Sequence, residues 1–166
     1  MMKIISGIKK YLLKILNIVT GISFAAMVIS LILQVVFRYV LQISVAWTEE
    51  LARFLCIWTV FLGAAPAFYE DDHITVDALV SKMSNEKYKK IVLYIALTFM
   101  YIFIASAIYG GFKLYSLGMR DWATTMPIRM GYVYLALPVG AVMMVVLKLI
   151  KLIEDISKKY DKAGGM

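Results

Sequence analysis

The sequence predicts an all-α membrane protein with four transmembrane helices and a short amphipathic helix at the membrane surface. Two observations support this class: 62% of the 166 residues are hydrophobic and only 17% are charged, and the charged residues lie mainly between long apolar runs. The net charge of +7 is divided among the segments between these runs, which argues against a basic face for nucleic acid. We therefore expect a single membrane domain over residues 1–166.

The first predicted span covers about residues 15–37, which is long enough to cross a hydrocarbon core of about 30 Å. Asn17, Thr20, Gln34 and Arg38 fall on one side of this helix, because steps of three and four residues connect them. This side is expected to face protein, since lipid offers no hydrogen bonds. The alternative is that Asn17 and Gln34 merely lie near opposite membrane interfaces.

The second predicted span covers about residues 47–69 and begins with a polar segment. Trp47 opens it, Glu49, Glu50 and Arg53 occupy its first two turns, and the residues that follow are almost all apolar. Acidic side chains are favoured near a helix N-terminus, and residues four apart face each other. The pattern predicts a polar edge that can bind a partner. It leaves open whether Glu49 and Arg53 pair with each other or across an interface.

A polar segment with the single histidine, His73, follows the second span. Apolar residues then recur with helical spacing from Val76 to Met83, which predicts a short amphipathic helix at about residues 75–83 on the membrane surface. Acidic residues near His73 give weak support for a metal-binding or catalytic role. A lipid headgroup contact or a hydrogen bond within the loop is the simpler interpretation.

Two further spans are predicted at about residues 90–112 and 131–153. Pro138 lies inside the last of these and is expected to kink it, because proline lacks the N–H that a helix uses. The charged segment 154–166 is expected to be a mobile tail.

Basic residues predict the orientation of the spans. If the N-terminus is cytoplasmic, thirteen of the 18 Lys and Arg residues lie on the cytoplasmic side: Lys3, Lys9, Lys10, Lys14, Lys82, Lys87, Lys89, Lys90, Lys148, Lys151, Lys158, Lys159 and Lys162. The remaining five lie on the outer side: Arg38, Arg53, Lys113, Arg120 and Arg129. Both termini are therefore expected to be cytoplasmic.

The predicted spans carry no Asp, Glu, Lys, Arg or His near the centre of the membrane. A proton-coupled exporter needs such a group, which costs about 2.5 to 3.5 kcal/mol to insert and is kept for function. The chain is therefore not expected to transport a solute alone. Enzymatic chemistry and a bound cofactor are not expected either, because one cysteine and one histidine allow no disulfide, no CxxC pair and no bis-histidine haem ligation within the chain.

Other features indicate contacts between helices. Gly63 with Ala67, and Ala136 with Gly140, are pairs of small residues four apart, which allow close approach of backbones within this chain or with a partner. Trp58 is predicted near the bilayer centre, where its indole N–H needs a partner inside protein.

A series of short motifs follows in order along the chain. It comprises Val36-Phe37-Arg38-Tyr39-Val40, Trp47-Thr48-Glu49-Glu50-Leu51-Ala52-Arg53, Trp58, Phe61-Leu62-Gly63-Ala64, His73-Ile74-Thr75-Val76-Asp77, Pro127, and the stretch from Tyr134 to Gly140. This series resembles the small membrane subunit of the tripartite ATP-independent periplasmic (TRAP) transporters. The number of spans and the length match that family over essentially the whole chain.

The resemblance implies a multi-pass protein of the bacterial inner membrane that pairs with a large membrane subunit. In such transporters the large subunit binds substrate and sodium and moves as an elevator. A soluble periplasmic protein delivers the substrate, an organic acid such as a C4-dicarboxylate or a sialic acid. The small subunit would then be a non-catalytic scaffold without a cofactor of its own, with lipids covering its other surfaces.

The predicted partner interface consists of Arg38, Trp47, Glu49, Glu50, Arg53, Trp58 and Gly63. Two alternatives to the scaffold remain open from the sequence. One is a stand-alone small transporter that acts as a homo-oligomer, and the other is a membrane anchor of an enzyme complex.

Overall fold

Five helices make up the part of the chain described by a computed structural model, residues 2–70 and 86–163. They are α1 (Met2–Tyr39), α2 (Ala46–Glu70), α3 (Glu86–Gly118), α4 (Met130–Tyr134) and α5 (Ala136–Ala163). Four stretches are long and apolar enough to cross a membrane: Ser6–Tyr39, Ala46–Tyr69, Tyr94–Gly118 and Met130–Glu154. These described residues contain an isolated β-bridge but no strand. The predicted all-α class with four transmembrane helices is therefore confirmed.

The helices extend beyond the predicted spans. α1 begins at Met2 rather than near residue 15, and α5 continues to Ala163 rather than ending near residue 153. A helix need not end where the membrane ends, because lysine and glutamate are good helix formers in water. Residues 154–163, predicted as part of a tail, are therefore helical, and the mobility of the tail stays a prediction.

Two of the predictions lie outside the described residues. One is the amphipathic helix at about residues 75–83, and the other is any role for His73.

α2 and α5 form the centre of the bundle. α1 packs along α2, α2 packs against α5, and α3 also packs against α5. All four spans contribute to the buried core, which consists of Leu16, Leu62, Ala65, Ile104, Ala107, Ala141, Met144 and Leu147. The most apolar windows of α1 and α3 are only 11% and 17% buried, against 39% for the last span. Much of the apolar surface of α1 and α3 is therefore left for lipid or for a partner.

Two glycines allow the central helices to approach closely. A Cβ at Gly140 would lie 2.9 Å from the carbonyl carbon of Phe61 in α2, and a Cβ at Gly111 would lie 2.6 Å from Pro138 Cδ in α5. Both distances are too short for van der Waals contact, so α5 can approach α2 and α3 this closely only where no side chain intervenes. Gly140, from one of the predicted small-residue pairs, thus serves packing within the chain.

The fourth span is interrupted at Leu135, between α4 and α5. Pro138 has no N–H to donate to the carbonyl of Tyr134, which lies four residues earlier. The interruption is limited to one residue. Helical hydrogen bonds flank it, because Leu135 N–H donates to Gly131 O at 3.0 Å and Val139 N–H donates to Leu135 O at 3.1 Å. The structure thus places an irregularity just before the proline.

The bundle has two ends that differ in their polar contacts. At the end we call the terminal end, Lys9 Nζ lies 2.8 Å from Glu154 Oε2, and Lys151 Nζ donates to the Tyr69 carbonyl at 3.0 Å. The start of α1, the end of α2 and the later part of α5 therefore meet there. The opposite end, which we call the loop end, holds the link 40–45 and the loop 119–129. The orientation of these ends relative to the cytoplasm stays a prediction.

Candidate functional site

The loop 119–129 folds back on itself at the loop end. It begins after Gly118, because α3 continues beyond its predicted end near residue 112. Trp122 and Arg129 form an antiparallel bridge, Ala123 N–H donates to Ile128 O at 2.8 Å, and Met130 N–H donates to Asp121 O at 3.0 Å. These backbone bonds give the loop a defined hairpin-like shape.

The side chain of Arg129 reinforces this shape. Its guanidinium group lies 4.4 Å from the centre of the Trp122 ring and donates to the carbonyl of Met119. A guanidinium stacked on tryptophan is a favourable cation–π arrangement. Arg129 therefore links the two arms of the loop.

Glu50 attaches the loop to the first turns of α2. Thr124 N–H donates to Glu50 Oε1 at 2.9 Å, and Thr125 N–H donates to Glu50 Oε2 at 2.7 Å. The Thr125 hydroxyl also donates to Oε2. A carboxylate that accepts two backbone N–H groups makes charge-assisted bonds, which are stronger than neutral ones. Glu50 was predicted at a partner interface, and the structure gives it a partner within its own chain.

Glu49 and Arg53 pair with each other on the exposed side of α2. Arg53 donates to Glu49 Oε1 at 3.1 Å, with the two side chains 65% and 60% exposed. Gln34 of α1 donates from Nε2 to the other carboxylate oxygen of Glu49, Oε2, at 3.5 Å. An exposed pair four residues apart contributes about 0.3 to 0.5 kcal/mol, so the pair stays available to a charged partner.

The remaining predicted interface residues divide into two groups. Arg38 and Trp47 are exposed at the loop end, Trp47 by 41%. Trp58 packs against the buried core, and Gly63 is half-buried where an added Cβ would lie 3.1 Å from Thr20 of α1. In the described chain Trp58 and Gly63 therefore make internal contacts, and a role for them at a partner interface stays a prediction.

The polar side predicted for the first span, which includes Thr20, lies along α2. Thr20 and Gln34 are half-buried, while Asn17 and Arg38 are exposed. Thr20 meets α2 at Gly63, and Gln34 meets it at Glu49. That side of α1 therefore borders α2 at two levels.

Thr124 and Thr125 were not found by sequence reasoning. Local spacing reveals neighbours three or four residues apart on a helix, whereas Glu50 is 74 and 75 residues from these partners. Two adjacent threonines in a polar link carry no pattern that would point to a glutamate so far away in the sequence.

Within residues 2–70 and 86–163, no group of three His, Cys, Asp or Glu side chains is placed to hold a metal ion. The contacts of the loop end instead fix one segment of the chain on another and leave charged side chains exposed. This arrangement suits protein–protein or protein–lipid contact.

Comparison with known proteins identifies the family. The model of the tripartite ATP-independent periplasmic transporters, DctQ component, matches residues 27–158. A protein of Haemophilus influenzae, provisionally named a TRAP transporter small permease protein, is 31% identical over 143 residues, which cover 86% of this chain and 88% of that protein. The sialic acid TRAP transporter small permease protein SiaQ of Vibrio cholerae is 28% identical over 147 residues, covering 86% and 84%.

A third relative is much longer than this chain. The sialic acid TRAP transporter permease protein SiaT of Haemophilus influenzae is 27% identical over 135 residues, which cover 81% of this chain but only 22% of SiaT. With four helices able to span a membrane and a family match over most of its length, the chain is a multi-pass protein of the inner membrane, and it belongs to the DctQ component family of the tripartite ATP-independent periplasmic transporters.

Proposed function

We propose that this chain is the non-catalytic scaffold subunit of a sodium-coupled TRAP transporter, and that it binds and stabilises a large elevator-type permease. The family is one of transporter permease subunits, not of enzymes. The match to SiaT is the observation that carries the proposal. In SiaT, a segment similar to most of this chain makes up 22% of a longer permease protein, so that segment shares one polypeptide with the rest of that permease.

The charge distribution of the chain supports a scaffold rather than a solute pathway. Charged residues near the start of α2 lie at the loop end, and the central parts of the other spans contain no Asp, Glu, Lys, Arg or His. Ionisable residues inside transmembrane segments commonly mark the pathways of ions, protons and substrates. Sodium and substrate would therefore bind to the large permease, and this chain would contribute a fixed surface.

The exposed side of α2 is the surface we propose for this contact. Glu49, Arg53, Cys56 and Val60 follow one another at steps of four, three and four residues, and all four are exposed. The stripe is charged near the loop end and apolar further along. We expect the large permease to cover this stripe with a surface that matches it, which has charged groups opposite Glu49 and Arg53 and an apolar helix face opposite Cys56 and Val60.

The substrate of the transporter is proposed to be an organic acid. SiaQ and SiaT are both named for sialic acid, while the family description names no substrate. A soluble periplasmic protein would deliver the acid to the assembled permease. Uptake assays with sialic acid and with C4-dicarboxylates would distinguish the two substrate classes.

Cys56 provides a direct test of the proposed contact, because it is the single cysteine of the chain and lies within the exposed stripe. The detergent-solubilised chain would be labelled with a photoactivatable maleimide, reconstituted with a membrane extract of its own organism, irradiated, and purified in mild detergent. We expect a cross-linked product with a large permease, identified by mass spectrometry. The Cys56→Ser variant gives the background.

Two outcomes would contradict the proposal. One is a cross-linked product that contains only copies of this chain. The other is purification of the chain without any large permease. As a matched test of charge, Arg53→Glu should reduce the amount of co-purified permease, while Arg120→Glu, on the exposed loop at the same end, should not.

A further inference from the structure

A cavity of about 380 Å³ lies where α1 ends and α2 begins. Its polar lining comes from Gln34 and Arg38 of α1, Gln42 and Ser44 of the link, and Glu49 of α2. The volume is within the range of about 300 to 1,000 Å³ that is typical of small-molecule sites. The cavity is therefore large enough for the polar headgroup of a lipid.

The backbone of the link leaves this cavity open. Leu41 N–H donates to Val36 O at 3.2 Å, and Ile43 N–H donates to Phe37 O at 2.9 Å, so the end of α1 unwinds into wide turns. Gln42 has a φ of 53°, which is a left-handed conformation uncommon for residues other than glycine. The chain therefore turns sharply away from α1 before it enters α2.

The cavity contains one side chain of each charge. Among the described residues, the contact of the Arg38 guanidinium is with the adjacent Tyr39 ring, whose centre is 5.9 Å away. Glu49 uses Oε1 to bind Arg53, while its Oε2 lies 3.5 Å from Gln34, another residue of the lining. A ligand with a separated negative and positive group would match this arrangement.

The position of the cavity favours a lipid. The link joins two helices that both cross the membrane, so it lies at the membrane surface. Large apolar side chains near the cavity are exposed, including Tyr39 and Val40 at 72% each and Ile43 at 55%. These side chains would contact the glycerol and acyl portions of a lipid whose headgroup enters the cavity.

We propose that this cavity binds the phosphoethanolamine headgroup of a phospholipid. The phosphate binds the Arg38 guanidinium, whose planar fork matches phosphate oxygens, and accepts a hydrogen bond from the Ser44 hydroxyl. The primary ammonium donates to Glu49 Oε2 and to the amide oxygens of Gln34 and Gln42. A choline group has no N–H to donate, and a glycerol headgroup supplies no positive charge for Glu49. This inference extends beyond the scaffold function and does not depend on it.

Native mass spectrometry of the full chain would test the site. The purified, delipidated protein is mixed with equal amounts of phosphatidylethanolamine, phosphatidylcholine and phosphatidylglycerol with identical acyl chains. We expect phosphatidylethanolamine to be retained about tenfold more than phosphatidylcholine, since it alone of the two can make the charge-assisted bonds to Glu49. Equal retention of the three lipids would overturn the proposal.

Two variants separate the roles of the two charges. Arg38→Gln should reduce retention of phosphatidylethanolamine about tenfold, because the phosphate loses its cationic partner. Glu49→Gln should abolish the preference for phosphatidylethanolamine over phosphatidylcholine and leave phosphatidylcholine retention unchanged. Arg120→Gln removes an exposed arginine at the same end and serves as the matched control. A loss with Arg120→Gln equal to that with Arg38→Gln would contradict the site.

Soluble glycerophosphoethanolamine distinguishes a lipid from a free headgroup. We expect no displacement of phosphatidylethanolamine by an equal concentration of the soluble compound, because the apolar side chains beside the cavity add binding only for the lipid. Displacement at equal concentration would show that the cavity takes a free phosphate ester instead. Circular dichroism of each variant confirms that its helical content is unchanged.

Discussion

Glu49 and Glu50 are adjacent residues with the same side chain and different partners. Consecutive residues on a helix point about 100° apart, so Glu50 reaches the loop at Thr124 and Thr125, while Glu49 points outward to Arg53. The pairing of Glu49 with Arg53 follows from their spacing. The role of Glu50 does not, because its partners are distant in sequence and only the folded bundle brings them together.

At this scale we predict that Glu50→Gln loosens the loop 119–129. The substitution removes the charge and replaces one acceptor oxygen by a donor, so one of the threonine N–H bonds is lost. Hydrogen exchange measured by mass spectrometry should show severalfold faster exchange at Thr124 and Thr125. Glu49→Gln is the matched control and should leave that exchange unchanged. Equal protection in both variants would show that the carboxylate of Glu50 does not hold the loop.

At the scale of helices, apolar runs predict that the four spans exist, and they do so because a membrane requires about 20 apolar residues in each. The ends of the helices are harder to predict. Met2 and Ala163 lie far beyond the apolar runs, since charged residues continue the helix in water. Which helices touch is not encoded in hydropathy at all. The contact of α5 with α2 at Gly140 depends on shape, and the pair Ala136 and Gly140 is in sequence equally consistent with packing inside the chain and with contact to a partner.

Gly140→Ala should destabilise the bundle. The added methyl group would collide with the backbone of Phe61, so α2 and α5 must separate, at a cost of about 1 to 3 kcal/mol. Gly110→Ala is the matched control, because nothing lies within 4 Å of its Cβ position. Thermal unfolding in detergent should show a lower midpoint for Gly140→Ala and no decrease for Gly110→Ala. Similar midpoints for the two variants would contradict the close contact between α2 and α5.

At the scale of the whole molecule, the sequence predicts the family and the membrane class correctly. Hydropathy and the order of short motifs can both be recognised without knowing which helices are in contact. The residues predicted for a single partner interface fall into two groups in the fold. Glu50, Trp58 and Gly63 contact their own chain, whereas Arg38, Glu49 and Arg53 remain exposed. A pattern on a single helix shows which residues are unusual, and only the packing of the other helices shows which of them face outward.

The orientation of the molecule is a prediction at this same scale. The excess of basic residues near the termini favours a cytoplasmic terminal end and a periplasmic loop end. Alkaline phosphatase inserted after residue 126 should be active, and green fluorescent protein fused after residue 166 should fluoresce. The opposite pattern would place the loop 119–129 and the cavity at Arg38 in the cytoplasm.

The central claim is that this chain supports transport by a large permease and transports nothing alone. Its most direct test is uptake of labelled sialic acid and C4-dicarboxylate into proteoliposomes under an inward sodium gradient, in the presence of the matching binding protein. We predict uptake when this chain and the large permease are reconstituted together, and none above empty liposomes with this chain alone. Saturable uptake by this chain alone would contradict the claim.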